Sequence, residues 1–168
     1  MTGSMANVYS QINLQVVFAV KGRQNVLLPE VRRELFPYMH GIMTNIGLFP
    51  LAVNGWYDHV HLFFDIKPHI LLSKSVETIK SNSSRWLNER GLIKGRFEWQ
   101  RGYAVFSYSR SQRDRVIQYI IGQEAHHSRK ANTFREEYFK LLKLFEIEFE
   151  DQYVFEFYDD GHEQGVEK

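Results

Sequence analysis

The residues best able to do chemistry in this chain are two histidines one position apart, His59-Val60-His61, at the start of the apolar run Leu62-Phe63-Phe64. On a strand, residues two apart share a face with their α-carbons about 6–7 Å apart, so both imidazoles can converge on one metal ion while Val60 points away. The same pattern also suits two hydrogen-bonded histidines at a sheet edge. A second pair is Tyr119 and Gln123, four positions apart in a segment of helical spacing, which puts a phenol and an amide on one helical face. Val116 and Ile120 lie in the same pattern, so a core tyrosine is the plainer alternative. Tyr57, Tyr103 and Tyr108 are rival nucleophiles. The chain has no cysteine, which excludes thiolate nucleophiles, Cys-ligated zinc and disulfides and leaves His, carboxylate or amide groups as ligands.

The elements that must position these groups follow from periodicity. Val8 to Val20 alternates as a strand, and Pro29 opens a helix carrying Val31, Leu35, Tyr38, Ile42 and Ile46. Residues 48–57 and 59–66 read as two antiparallel strands divided near Tyr57-Asp58, and Pro68 ends the second. Leu71 to Arg90 is expected to be a helix, Phe97 to Tyr108 a fourth strand, and Ser109 or Ser111 the cap of a helix reaching about Gln123. A further amphipathic helix starts near Thr133, and the segment from Ile147 is expected as a short strand or extended arm.

The order β-α-β-β-α-β followed by helices predicts an α+β, ferredoxin-like sandwich. An antiparallel sheet of four to five strands would carry helices on one face, with the C-terminal helices added. The 168 residues, 43% hydrophobic, suit one domain over 6–150 with an acidic tail at 151–168. Residues 1–5, with Gly3-Ser4 ahead of a second Met, look like a cloning remnant. No apolar run approaches the ~20 residues of a membrane span, so a soluble cytoplasmic protein is expected.

The net charge of +1 conceals an asymmetry: residues 67–130 hold 13 Lys or Arg against 5 Asp or Glu, whereas 133–168 hold 4 against 11. The central excess suits a polyanion. Candidate phosphate contacts are Lys74, Lys80, Arg85, Arg96, Arg101, Arg110, Arg113, Arg115, Arg129 and Lys130; Tyr103 can stack on bases, and Trp86 and Trp99 are expected in the core. His126 and His127 are expected to be structural or to touch a nucleic acid.

Four segments in order, DHVHLFF (Asp58–Phe64), SSRWLN (Ser83–Asn88), FEWQRGYAVFS (Phe97–Ser107) and YIIGQEAHH (Tyr119–His127), resemble the single-tyrosine transposases of the HUH nuclease superfamily, the small insertion-sequence and REP-associated type. The helix FREEYFKLL and the acidic end are similar too. The resemblance implies that His59 and His61 bind a divalent metal, with Gln123 as third ligand and Tyr119 as nucleophile. It further implies a 5′-phosphotyrosine intermediate, single-stranded DNA next to hairpins as substrate, a homodimer that can share active sites between subunits, and a bacterial, nucleoid-associated location. Three neutral ligands would leave the ion its full charge, and Mg²⁺ or Mn²⁺ suits a phosphate substrate. The alternatives are a hairpin-binding module that no longer cuts DNA, and a relaxase or replication-initiator nickase.

Overall fold

A computed structural model describes residues 7–128 and 133–148. The element order is β1 (Asn13–Ala19), α1 (Pro29–Asn45), β2 (Phe49–Gly55), β3 (His59–Asp65), α2 (Leu72–Arg90), β4 (Ala104–Tyr108), α3 (Arg113–Ile121), α4 (Gln123–Ser128) and α5 (Phe134–Leu144). The strands form one antiparallel sheet in the order β2-β3-β1-β4, the ferredoxin-like arrangement expected from the element order. His59 pairs with Ala19 and His61 with Val17, so the His-x-His motif lies on an interior strand and not at a sheet edge.

Strand alternation divides the core between two faces. Val16, Phe18, Val60, Leu62 and Phe64 point to one side and pack with Leu35, Met39 and Met43 of α1 and Val76, Ile79 and Leu87 of α2. Val17, Ala19, Ala104 and Phe106 point to the other, where Phe134, Leu141 and Leu142 of α5 cover them. Phe63, two residues beyond His61 on that second face, packs under Val116 and Ile120 of α3. The C-terminal helices therefore roof the face that carries the histidines, and α1 and α2 cover the opposite one.

The β2–β3 turn is held tightly, and it sets the height of His59. A Cβ at Gly55 would stand 2.2 Å from the His59 carbonyl oxygen, so only glycine fits the approach of the two strands. The Trp56 N–H donates to that same carbonyl at 3.0 Å. Buried Arg32 of α1 donates to the Gly55 carbonyl at 3.3 Å and lies 5.0 Å from the ring centres of both Trp56 and Tyr57.

Two segments depart from the sequence reading. Of the stretch expected as a continuous fourth strand only Ala104–Tyr108 is one; Trp99 makes a single bridge to Val20, and Gly102 at φ 78° turns the chain between them. The helix expected to run through Gln123 is interrupted at Gly122, where α3 ends and α4 begins. The proposed domain limits at 1–5 and 151–168 lie outside the described residues, as do Arg129 and Lys130. Among the described residues, no helix is long and apolar enough to cross a membrane.

Candidate active site

His59 and His61 are fully buried on the roofed face of β3, with ring centres 5.1 Å apart. The Asp58 carboxylate lies 2.7 Å from His59 Nδ1 and accepts its N–H, which turns Nε2 inward. On His61, Nδ1 faces the Gln15 amide nitrogen at 2.8 Å, and Gln15 Oε1 accepts from the Tyr108 hydroxyl at 2.6 Å. The Gln15 amide can turn over in place, and the orientation that accepts Nδ1–H leaves the His61 Nε2 lone pair free for an ion. Asp58 and Gln15 thus brace the two imidazoles from behind.

Tyr119 and Gln123 reach the same spot from the roof, despite the break at Gly122, because the chain still turns helically through it: Gly122 N–H donates to Gln118 and His126 N–H to Gly122. The Tyr119 ring stands 5.8 Å from His61, edge to face. Gln123 is fully buried, with Oε1 3.3 Å from His59 Nε2. All four residues singled out by motif and spacing therefore meet within one chain.

Two residues at the centre were not expected among the site's groups. Glu137 of α5, 4% exposed, inserts its carboxylate among them. Its Oε1 accepts from the Tyr119 hydroxyl and from Gln123 Nε2 (2.9 Å) and lies 3.1 Å from His61 Nε2. Its Oε2 lies 2.7 Å from His127 Nε2 and 3.3 Å from His59 Nε2. His127, read as structural or DNA-contacting, also comes within 3.0 Å of Gln123 Oε1, inside the cluster. The spacing carried both signals: Glu137 falls three after Phe134 and four before Leu141 on the apolar stripe of α5, and His127 lies one turn beyond Gln123.

The electrostatics follow from burial and from the charges that the site brings together. Burial would depress the His59 pKa, but the Asp58 hydrogen bond and the negative charges of Asp58 and Glu137 raise it to about 9. Burial dominates at His61 and lowers its pKa. Burial would raise the Glu137 pKa, yet the histidines that surround its carboxylate, His61 first and then His127 and His59, hold it well below the usual range. Burial first, and then the Glu137 charge and hydrogen bond, push the Tyr119 phenol well above its ordinary value. The phenol is therefore neutral at physiological pH, and it needs a neighbouring cation to become a competent nucleophile.

The donor set suits a divalent ion. His59, His127 and Glu137 offer ligand atoms all within 4.8 Å of one another. The buried His61 Nε2 makes no hydrogen bond despite its closeness to Glu137, as a ligand atom aimed at an ion would. A cavity of about 320 Å³ adjoins Tyr119 and Glu137, with Gln112, Arg115, His126 and Lys140 among its lining.

The other candidate cations scatter. Lys80, Arg85, Arg96 and Arg101 line a groove of about 1180 Å³ between α2 and residues 96–103, on the side of the sheet away from the histidines, with Tyr103 at its wall. Glu77, Glu89 and Glu98 share that groove. Lys80 is half-buried, its ammonium held by the carbonyls of Gln100 (2.6 Å) and Gly102 (2.8 Å). Lys74 pairs with Glu77 and Arg96 with Glu98, while Arg110 and Arg113 lie at the start of α3. Trp99 is core, donating to Ser83 Oγ at 2.9 Å, and Trp86 is half-buried and stacks on Tyr38.

Comparison with known proteins places this geometry in context. The family described as "Transposase IS200 like" matches residues 8–123. The ISDra2 transposase TnpA of Deinococcus radiodurans is 27% identical over 120 residues, covering 67% of this chain and 84% of that protein. A crystal structure of a putative transposase from Deinococcus radiodurans R1 superposes with a TM-score of 0.58 at 28% identity, covering 73% of this chain and 98% of that one. The REP-associated tyrosine transposase solved bound to a REP hairpin shares the fold, with a TM-score of 0.54 at 14% identity over 75% of this chain and 74% of that one. With more than half of its length matched, His59, His61, Tyr119 and Gln123 included, the chain belongs to the IS200-like family of single-tyrosine transposases.

Proposed function

We propose that this transposase cuts and rejoins single-stranded DNA beside hairpins through a covalent bond to Tyr119. The observation that carries the reading is the meeting of the Tyr119 phenol with the inward Nε2 atoms of His59 and His61 and the Gln123 amide at one buried point that adjoins a cavity. Attack of the phenolic oxygen forms a phosphorus–oxygen bond to Tyr119 and breaks the bond to the 3′ oxygen. The products are a 5′-phosphotyrosine and a free 3′-hydroxyl. Because the phosphodiester energy is retained, a second 3′-hydroxyl can displace Tyr119 and reseal the strand without ATP.

His59, His61 and Gln123 are the proposed ligands of a Mg²⁺ or Mn²⁺ ion, which would polarise the phosphate and stabilise charge in the transition state. Asp58 and Gln15 fix the two imidazoles, and Arg115 and Lys140 beside the cavity meet the incoming backbone. In-line attack needs an exposed backbone, which favours single strands over duplex. The groove with Arg85, Arg96 and Arg101 suits the duplex stem of a hairpin, a partner class supported by the REP hairpin bound to the structural relative. We assign the whole activity to one domain, 6–150, acting as a homodimer on bacterial DNA.

The test is cleavage of end-labelled hairpin DNA with a single-stranded flank, in Mn²⁺, analysed on a denaturing gel. Wild-type protein should leave a shifted protein–DNA band and Tyr119→Phe none. A band that survives in Tyr119→Phe, or DNA cut with no band at all, contradicts the reading.

A further inference from the structure

We propose that Glu137 is a fourth protein ligand of the metal ion at this site and, among the described residues, its one anionic ligand, a deepening that rests on the metal-dependent reading above. The argument starts from spacing. Two ligand atoms each ~2.1–2.2 Å from an ion and at right angles about it lie ~3.0 Å apart, so co-ligands in an octahedral shell are close without bonding each other. Glu137 Oε2 is 3.3 Å from His59 Nε2, and Oε1 is 3.1 Å from His61 Nε2. Gln123 Oε1 is within hydrogen-bond reach of His59 Nε2 at 3.3 Å, a separation that two ligands of one ion would also keep. The carboxylate thus keeps co-ligand distances to both imidazoles.

A second observation points to the same assignment. The His61 Nε2 is fully buried and forms no hydrogen bond, although a carboxylate oxygen lies within reach of one. Were Glu137 there only to pair with the histidines, this nitrogen would be aligned to donate to it.

The helix that carries Glu137 is built to hold it there. Thr133 and Glu136 form a reciprocal cap at the start of α5, with Glu136 Oε2 accepting from Thr133 N–H at 3.0 Å. Phe134 stacks on the His59 ring at 4.1 Å, and Leu141 and Leu142 seat the helix on β1 and β4. Gln123 Nε2 and His127 Nε2 then hold the carboxylate from the side at 2.9 and 2.7 Å. Four ligands leave two octahedral positions for phosphate oxygens or water. The carboxylate cancels one of the ion's two charges, so the ion is held more tightly than by neutral ligands alone, in place of the all-neutral set expected from the sequence.

The experiment is calorimetric titration of MnCl₂ into the DNA-free full chain, comparing wild type, Glu137→Gln and His59→Ala, each checked for folding by circular dichroism. Glu137→Gln should weaken Mn²⁺ binding about tenfold or more, because it keeps the shape and removes the charge. Wild-type affinity in that variant overturns the proposal, whereas loss of binding only in His59→Ala leaves the metal site standing without Glu137. If wild type binds no Mn²⁺, the metal-dependent reading falls as well. Should Glu137→Gln not fold, Glu137→Asp replaces it: the same charge on a shorter arm should bind Mn²⁺ measurably more weakly, and unchanged affinity overturns the proposal.

Discussion

At the scale of single residues, the site is a small set of buried groups whose protonation states are set by one another. His59 keeps its proton up to about pH 9 because Asp58 and Glu137 face it. A base with a raised folded-state pKa adds stability that is complete below its ordinary value of about 6.5 and is lost as pH rises through about 9. In EDTA-treated protein, wild type should therefore lose melting temperature relative to His59→Gln between pH 6.5 and 9. The comparison must be a difference between the two proteins, since burial lowers the Lys80 pKa to about 8 and adds stability with the opposite sign above that pH. Parallel melting curves would show that His59 is not held as an imidazolium. The pairs His59/His61 and Tyr119/Gln123 were legible in the sequence because strand and helix periods put each pair on one face, and the resemblance to the HUH transposases joined them into one expected site. Glu137 was not, because a glutamate in FREEYFKLL reads as the polar face of a surface helix until its position between Phe134 and Leu141 is weighed.

At the scale of elements, precision at the site comes from the turn that leads into β3 and from the strand under α3. Gly55→Ala would drive a Cβ into the His59 carbonyl, so it should cost about 2–4 kcal/mol in urea unfolding and lower ion affinity together. A variant as stable as wild type would mean that the turn relaxes freely. Phe63→Ala should cost about 3–5 kcal/mol, because Phe63 is fully buried and is the floor on which Val116 and Ile120 set the Tyr119 helix. A loss below about 1 kcal/mol would show that α3 is held from elsewhere. The helices and three of the strands followed from periodicity, with ends shifted by a few residues. The stretch from Phe97 to Gly102 did not: its aromatic residues mimic a strand, but Trp99 serves as a core plug against Phe18 and Phe97 while Gly102 turns the chain away.

At the scale of the molecule, part of the basic excess seen along the sequence gathers in two places: Lys80, Arg85, Arg96 and Arg101 line a groove on the α2 side and Arg115 the cavity beside Tyr119, with the sheet between them. That separation suits a division of labour in which one surface grips a folded DNA end and the other receives the strand to be cut. Replacing Arg85, Arg96 and Arg101 together by Ala should weaken hairpin binding and lower the slope of log affinity against log salt by about 2.7, the value for three lost duplex phosphate contacts. An unchanged slope by fluorescence anisotropy would place the hairpin elsewhere. The central claim is the covalent bond to Tyr119, and peptide mass spectrometry reads it directly. After reaction with single-stranded DNA and Mn²⁺, then nuclease and trypsin, the peptide spanning residues 116–129, whose only tyrosine is Tyr119, should carry a nucleotide 5′-phosphate. Cleaved DNA with that peptide unmodified, or with the nucleotide on any other residue, would contradict the account.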